Sequence, residues 1–409
     1  MEIWDYIVVG GGIAGLSIAE HLCKQHRVLI VEKYGQWGGR IATDRFPATD
    51  TVPALQYEAG AGRIFHTHRH VKALVKRFGL HTYPISSESF FETYPNPFRH
   101  IFAPIRRHLQ ALPKNALANH TIYELLPESM RHILHSYPYW AEVQLTRADV
   151  ALPLFADDKP MESSSKSDFF GIVEGADSLI THLYESVKST GATLENHHAV
   201  EDIRNTKTKL LEVVGQRGKK GAKEPFTYTT RNVVIATQFT AFGDFAVLRN
   251  APILKQLAMS KLLRIYAVYP PSADGSVWFT KIQKTVTTNP LRYVIPINPK
   301  TGLIMISYTE GPDTDIWRSK ESQELEDAIQ ASARALYPDL DIPKPVFLKK
   351  HDWIAGCTYW LPGDYDVANA SRTAHNPAPN VFVCGESISQ NQAWIEGALE
   401  SVEVLKSII

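Results

Sequence analysis

Three glycines and one carboxylate near the N-terminus have the types and spacing that hold a dinucleotide. Gly10, Gly12 and Gly15 stand in Gly10-Gly-Gly-Ile-Ala-Gly15. The first makes a tight turn, the second lets backbone approach a pyrophosphate, and the third lets a helix pack closely on a sheet. Glu32 follows Gly12 at about the separation expected of a carboxylate that accepts from a ribose hydroxyl, and a carboxylate there disfavours a 2′-phosphate. Ile13, Ala14 and Lys33 beside these residues complete the first set of contact candidates. The ligand they describe is an adenosine diphosphate without a 2′-phosphate, as in FAD or NAD.

Such residues need a strand, a helix and a second strand to position them. The apolar run Tyr6-Ile-Val-Val9, the helical pattern over 16–24 and the run Val28-Leu-Ile-Val31 supply all three, and the phosphates would sit on the helix N-terminus. Two further glycine-bearing turns follow, Trp37-Gly-Gly-Arg-Ile41 and Tyr57-Glu-Ala-Gly-Ala-Gly-Arg-Ile64, a pattern of backbone packed against a ligand. A helix is predicted over 71–78, stopped by Gly79.

Residues 81–170 change character: 83–104 are rich in proline and aromatic residues, and 101–140 carry helical apolar spacing, which reads as a helical insertion. A second alternation begins near Gly175, with a helix over 179–187, a strand over 199–203, a hairpin-like pair across Arg217-Gly-Lys-Lys-Gly221 and a strand over 232–237. Strand-like runs at 262–269, 277–279, 291–297 and 303–308, with one helix over 321–336, read as a second sheet. The chain closes with Asn380-Val-Phe-Val-Cys-Gly-Glu386 and a helix over about 392–407. The run Ser163–Ser167 reads as a surface loop, and no internal repeat is evident.

Nucleotide-binding elements at both ends imply a discontinuous domain. The expected division is 1–80, 171–245 and 356–409 for nucleotide binding, with 81–170 and 246–355 for substrate. The expected fold class is α/β, a Rossmann-like FAD-binding domain with an inserted α+β substrate domain.

With 409 residues, 44% hydrophobic and 21% charged, the chain has ordinary globular composition. Forty-three basic residues balance forty-three acidic ones, so no general field draws it to nucleic acid or an anionic membrane. Three cysteines, none in a CxxC pair, make neither a disulfide framework nor a structural zinc site. No apolar run reaches membrane-spanning length, and the first strand begins too early for a signal peptide, so the expectation is a soluble, cytoplasmic protein. The histidines at 66, 68 and 70, and at 197 and 198, lack a completing ligand set; solvated or helix-starting roles are expected, with no metal.

Four blocks together resemble the flavin-containing amine oxidases, the superfamily of monoamine oxidase, polyamine oxidase and L-amino acid oxidase. They are Val9 to Ser17 with Glu32; Gly38-Gly-Arg40; Glu58-Ala-Gly-Ala-Gly62; and Gly385-Glu386 followed by Ala393-Trp-Ile-Glu-Gly-Ala-Leu399. The resemblance implies FAD, with Gly10, Gly12 and Gly15 on its pyrophosphate and Glu32 on the adenosine ribose. It places Gly39 and Arg40 near the pyrophosphate and ribityl chain, where a guanidinium suits phosphate oxygens. Gly62, Arg63 and Ile64 fall near the flavin and the Val200 backbone near the adenine. Gly385 and Glu386 fall near the pyrophosphate or ribityl hydroxyls, and the helix starting at Trp394 and Ile395 aims its amides at the flavin's pyrimidine carbonyl. The plain alternatives are surface ion pairs for Arg40 and Glu386 and core packing for Val200.

The resemblance also implies two aromatic side chains flanking a substrate nitrogen. Trp394 takes one position. Tyr359 or Trp360, in Trp353-Ile-Ala-Gly-Cys-Thr-Tyr-Trp-Leu-Pro-Gly363, takes the other, with core packing as the alternative for Trp360. Cys357 lies where monoamine oxidases bond cysteine to the flavin; a thioether and a buried hydrophobe both remain open. Arg264 stands where many members carry a lysine. A guanidinium cannot shuttle protons as an ammonium does, so Arg264 would stabilise reduced flavin, bind a substrate carboxylate, or be an edge-strand surface residue.

The function this implies is an FAD-dependent amine oxidase. Hydride passes from a carbon next to nitrogen to flavin N5, water hydrolyses the imine, and dioxygen accepts the electrons to give hydrogen peroxide. The partners are then a small-molecule amine and dioxygen. The alternatives are a flavin-dependent carbon–carbon desaturase or dehydrogenase and a non-catalytic flavoprotein scaffold.

Overall fold

The computed structural model describes residues 2–86, 89–92, 98–135, 139–156, 169–219 and 221–409. The Ser163–Ser167 run, part of the proline-rich stretch over 83–104, and Lys220 of the basic turn lie outside the described residues.

One sheet orders its strands His198–Asn205, Leu211–Arg217, Glu224–Ile235, Ile3–Val9, Val28–Val31 and Thr193–Glu195, with Val381–Val383 also paired to Glu224–Ile235. Ile3–Val9 runs parallel to both its neighbours, and Val381–Val383 parallel to Glu224–Ile235. Successive side chains of a strand point to opposite faces, and both faces here are apolar. Val8, Ile30 and Val234 pack beneath the helices Ile13–Leu22, Asp177–Ser189 and Ile395–Lys406. Ile7, Val9, Val233 and Ile235 pack on the other side with Phe242, Leu248, Ile253 and Trp360. Burial on two faces explains the unbroken apolar runs in these strands.

A second sheet has the order Phe347–Trp360, Leu257–Val268, Leu303–Glu310, Tyr293–Asn298, Thr285–Val286 and Phe90–Phe91. The amphipathic helix Ser322–Leu336 covers one face through Leu325, Ile329 and Ala333, packed against Leu263, Ile265 and Ile304. The other face carries Tyr266 and Met305 against Leu55 and Tyr57. The strand Phe347–Trp360 runs unbroken through the position 355/356 at which the sequence reading divided the chain.

Helices occupy much of 98–156. Among the described residues, no helix is long and apolar enough to cross a membrane. One expected strand is absent: residues 277–279 form a turn, closed by Thr280, whose N and Oγ1 both donate to the Val277 carbonyl at 3.0 and 2.7 Å. Val277 and Phe279 are buried all the same, so the apolar run marks an anchored turn.

Candidate active site

The strand Ile3–Val9 delivers the chain into Gly10, whose φ of +109° is open chiefly to glycine. A Cβ on Gly15 would lie 2.0 Å from the Gly10 carbonyl oxygen, so glycine is what lets the helix Ile13–Leu22 begin against this turn. Gly12 caps that helix with no side-chain cap bond. The first-turn amides, Ile13 and Ala14 among them, have no intrahelical acceptor and carry the positive end of the dipole. Glu32 is buried and accepts from Gly11 N at 2.7 Å through Oε2 and from Tyr34 N at 2.9 Å through Oε1. One lone pair of the carboxylate remains for a ribose hydroxyl. Lys33 joins this group through its backbone amide, which Glu32 also accepts, while its side chain is exposed with Nζ 5.5 Å from the Tyr34 ring centre.

Three glycines from distant segments clear a common groove. A Cβ on Gly12 would meet nothing nearer than 3.9 Å, one on Gly39 nothing nearer than the Gly12 Cα at 3.8 Å, and one on Gly385 nothing within 4 Å. Gly38 bridges Gly12, and Gly385 follows the parallel strand Val381–Val383. The groove thus lies at the carboxyl end of the parallel strands, beside an uncapped helix N-terminus. An open α/β sheet binds its ligands there, and the donor set suits a pyrophosphate.

Arg40 and Glu386, which the sequence reading treated separately, bond to each other. Arg40 Nη1 lies 2.8 Å from Glu386 Oε2 and donates to the Gly356 carbonyl at 3.0 Å. Buried Glu386 also accepts from Thr358 N at 2.8 Å, Thr358 Oγ1 at 3.1 Å and Ala393 N at 3.0 Å. One ion pair therefore ties three remote segments to the groove and overturns the surface-pair alternative. Trp394 follows Ala393 and caps the helix Ile395–Lys406 without a side-chain bond, which leaves the first-turn amides, starting at Ile395, open as well.

The remaining nucleotide candidates divide. Gly62 is buried and a Cβ would overlap the Glu58 side chain at 2.1 Å, while Ile64 is fully buried core. Both shape the turn that presents Arg63. Val200 packs against the apolar cluster behind the sheet, and the ladder register shifts just after it.

Arg264 lies on Leu257–Val268, an interior strand between Phe347–Trp360 and Leu303–Glu310, so the edge-strand reading fails. Its Nη1 donates to the carbonyls of Glu58, at 3.1 Å, and Gly60. Its Nε is buried without a partner, and its guanidinium lies 5.2 Å from the Tyr308 ring centre. Burial opposes the charge, but Tyr266 and Tyr308 raise the pKa above its ordinary value.

The aromatic pair is corrected in one member. Trp360 is fully buried in the core behind the parallel sheet, its N bonded to Gln392 Oε1 at 2.9 Å and its Nε1 to the Ser389 carbonyl at 3.0 Å. Neighbouring residues on a strand face opposite ways, and this register turns Trp360 inward. Trp360→Phe is expected to cost about 1–3 kcal/mol by leaving the Ser389 carbonyl unpaired, without changing cofactor affinity. A urea titration beside a flavin titration checks this, and weakened cofactor binding at unchanged stability would restore the cage assignment. Tyr359 is also buried and donates to Glu310 Oε1 at 2.9 Å; burial pushes Glu310 up to about 7.

Trp394 stays partly open. Its ring lies 6.1 Å from Phe169, nearly parallel at 13°, and meets His68 edge-on at 5.0 Å. Sequence reasoning missed Phe169, which belongs to no motif. Arg63 lies 5.6 Å from the Phe169 ring, and its pKa is raised although burial opposes the charge, because Tyr139, Tyr308 and Tyr293 favour it. Burial, then Glu386 and Glu310, push the Cys357 thiol above its usual range.

Glu396 is a second missed residue. It is buried and accepts from His70 N at 2.9 Å and Val71 N at 3.0 Å, so it caps the helix Arg69–Arg77. His70, Glu396 and Glu400 hold ligand atoms within 4.8 Å of one another, but Glu396 is engaged as this cap and Glu400 accepts from Asn391 Nδ2 at 2.7 Å.

Comparison with known proteins adds the following. A family model described as flavin containing amine oxidoreductase matches residues 13–142 and 139–402. Amine oxidase [flavin-containing] A of Bos taurus is 31% identical over 121 residues, which make up 28% of this chain and only 22% of that protein. YobN of Bacillus subtilis (strain 168), provisionally named an L-amino-acid oxidase, is 22% identical over 97% of this chain and 92% of its own. Among solved structures, cyclohexylamine oxidase from Brevibacterium oxydans IH-35A matches with a TM-score of 0.74 and 17% identity over 100% of both chains. A putrescine oxidase redesigned in its cofactor binding matches with a TM-score of 0.72 and 14% identity over 99% of this chain and 98% of that one. These two likenesses bear on the fold alone.

Proposed function

Because the chain belongs to the flavin-containing amine oxidoreductase family, with FAD as its cofactor, we propose that it is an amine oxidase whose substrate nitrogen lies beside Trp394 and Phe169. The observation that carries this reading is the groove cleared by Gly12, Gly39 and Gly385, which opens beside Trp394 and the Arg40–Glu386 pair. When bound, the flavin accepts hydride from the substrate carbon, and dioxygen takes up the electrons afterwards.

The protein's part is to bind, orient and exclude water. The amides of Ile13 and Ala14 and the backbone of Gly10, Gly12 and Gly39 would hold the pyrophosphate, Glu32 the ribose, and the Val200 backbone the adenine. Glu386, its oxygens engaged by Thr358, Ala393 and Arg40, would position the Arg40 guanidinium toward the pyrophosphate, and the amides from Ile395 onward would face the pyrimidine carbonyl. Trp394 and Phe169 offer near-parallel faces for a positioned amine. Arg264 would serve as a fixed positive charge beside the ring system, its Nε free to donate.

The test is the visible spectrum of the purified protein under anaerobic addition of a mixed amine and amino-acid panel. Bleaching of the oxidised band is expected. A yellow protein that no amine bleaches would overturn the amine reading in favour of carbon–carbon chemistry, and a colourless one that FAD cannot reconstitute would overturn the whole assignment.

Attachment of the cofactor is expected to be non-covalent. Forming a thioether needs thiolate at Cys357, and burial beside Glu386 and Glu310 keeps that thiol protonated. Acid precipitation should release FAD to the supernatant; flavin retained in the pellet, and lost from it in Cys357→Ala, would show the opposite.

A further inference from the structure

The helix Arg69–Arg77 and the paired strands Thr82–Ile85 and Phe169–Ile172 enclose a groove of about 480 Å³. That volume lies in the range of small-molecule sites. Its apolar surface comes from Val75, Pro84, Phe169 and Phe170, and its cationic rim from His66, Lys72 and Lys76. No acidic residue lines it among the described residues.

Lys72 and Lys76 stand one helical turn apart on the same face, where like charges repel. Lys72 Nζ donates to the His66 carbonyl at 3.1 Å and keeps its other two hydrogens. Lys76 is exposed, and neither ammonium is paired with a carboxylate among the described residues. The carboxylates that meet the adjoining residues are engaged: Glu20 pairs with Arg77 at 2.5 Å and Glu174 with His81 at 2.6 Å. Basic and acidic residues balance over the whole chain, so this rim is a local concentration of positive charge. Walls of low dielectric lined by one sign of charge focus that field into the groove.

Phe169 is the wall that the groove shares with the proposed amine position. Its ring lies 6.1 Å from Trp394 and 5.6 Å from the Arg63 guanidinium. Arg63 therefore adds positive charge behind the wall. A cationic amine is repelled from the groove, and an anion is drawn to it.

We propose that this groove is a second binding site, separate from the amine position, for a small aromatic carboxylate. The ring lies on the apolar surface, where offset contact with Phe169 favours a flat body. The carboxylate meets Lys72 and Lys76, whose stems follow the apolar surface while their ammonium groups reach the rim. Occupation presses on Phe169, so the ligand acts on the amine position through a shared wall. Binding itself requires no amine turnover, and the inference goes beyond the amine-oxidase reading.

The test uses naphthalene-2-carboxylate as the probe, titrated calorimetrically into the holoprotein, with naphthalene-2-carboxamide as its neutral counterpart. One site per chain is expected. Affinity should be about tenfold weaker for the amide, and about tenfold weaker for the acid in the double variant Lys72→Gln, Lys76→Gln, the loss of two exposed charge contacts. Thr82 also lines the groove, and Thr82→Trp, which fills it while keeping both lysines, should abolish binding. Flavin content and thermal midpoint should stay at wild-type values in both variants, because all three residues are exposed. No binding to the wild type, equal affinity for acid and amide, or undiminished affinity in either variant would overturn the proposal.

Discussion

Arg40→Ala is expected to destabilise the protein by about 3 kcal/mol and to weaken FAD binding together with it. The substitution leaves the Glu386 carboxylate buried without its cation, and removing one partner of a buried pair costs far more than the pair's net worth. The loss spreads, because Glu386 also holds the Thr358 and Ala393 amides and Arg40 holds the Gly356 carbonyl. Arg40→Ala combined with Glu386→Gln should recover much of the stability, since no uncompensated charge is then buried. Urea titrations of the two single variants and the double variant form a mutant cycle that reads the coupling. A cost for Arg40→Ala below about 0.5 kcal/mol would mark the pair as equivalent to an exposed one, and the account of how the site is assembled would fail.

Gly12→Val and Gly15→Val are expected to fail in different ways, although both disrupt the same turn. The Gly12 Cβ position is open, with the Gly38 carbonyl oxygen 3.9 Å away, so a side chain there starts into the groove without a backbone clash. Binding of FAD should weaken by about 100-fold, the value of one or two charge-assisted hydrogen bonds, while the apoprotein keeps its urea midpoint. At Gly15 the Cβ would overlap the Gly10 carbonyl, and the apoprotein itself should lose about 3 kcal/mol as helix and strand are forced apart. Flavin fluorescence titration and apoprotein unfolding, measured on both variants, distinguish the outcomes. Full FAD affinity in folded Gly12→Val would place the pyrophosphate elsewhere.

The residues that sequence reading identified most securely are those whose local conformation demands a residue type. Gly10 needs a positive φ, Gly15 needs a missing Cβ, and Glu32 answers amides in its own βαβ unit. Apolar runs located about half of the strands for the same local reason. Residues 277–279 were the exception, since burial of an apolar run does not distinguish a strand from an anchored turn.

Contacts between remote segments were decided only in three dimensions. Arg40 and Glu386 were each legible as polar residues beside a nucleotide; their pairing depends on two strands ending at the same edge of one sheet. Trp360 and Tyr359 are neighbours in sequence, and strand register alone sends one into the core and the other toward Glu310. The sequence by itself determined the family, the cofactor and the glycine turn between the first strand and helix, because local backbone geometry restricts which residues can stand there. The tertiary structure alone decided which side chains share the pocket, because long-range pairing and burial set the surroundings of a charge and leave no signature in the residues beside it.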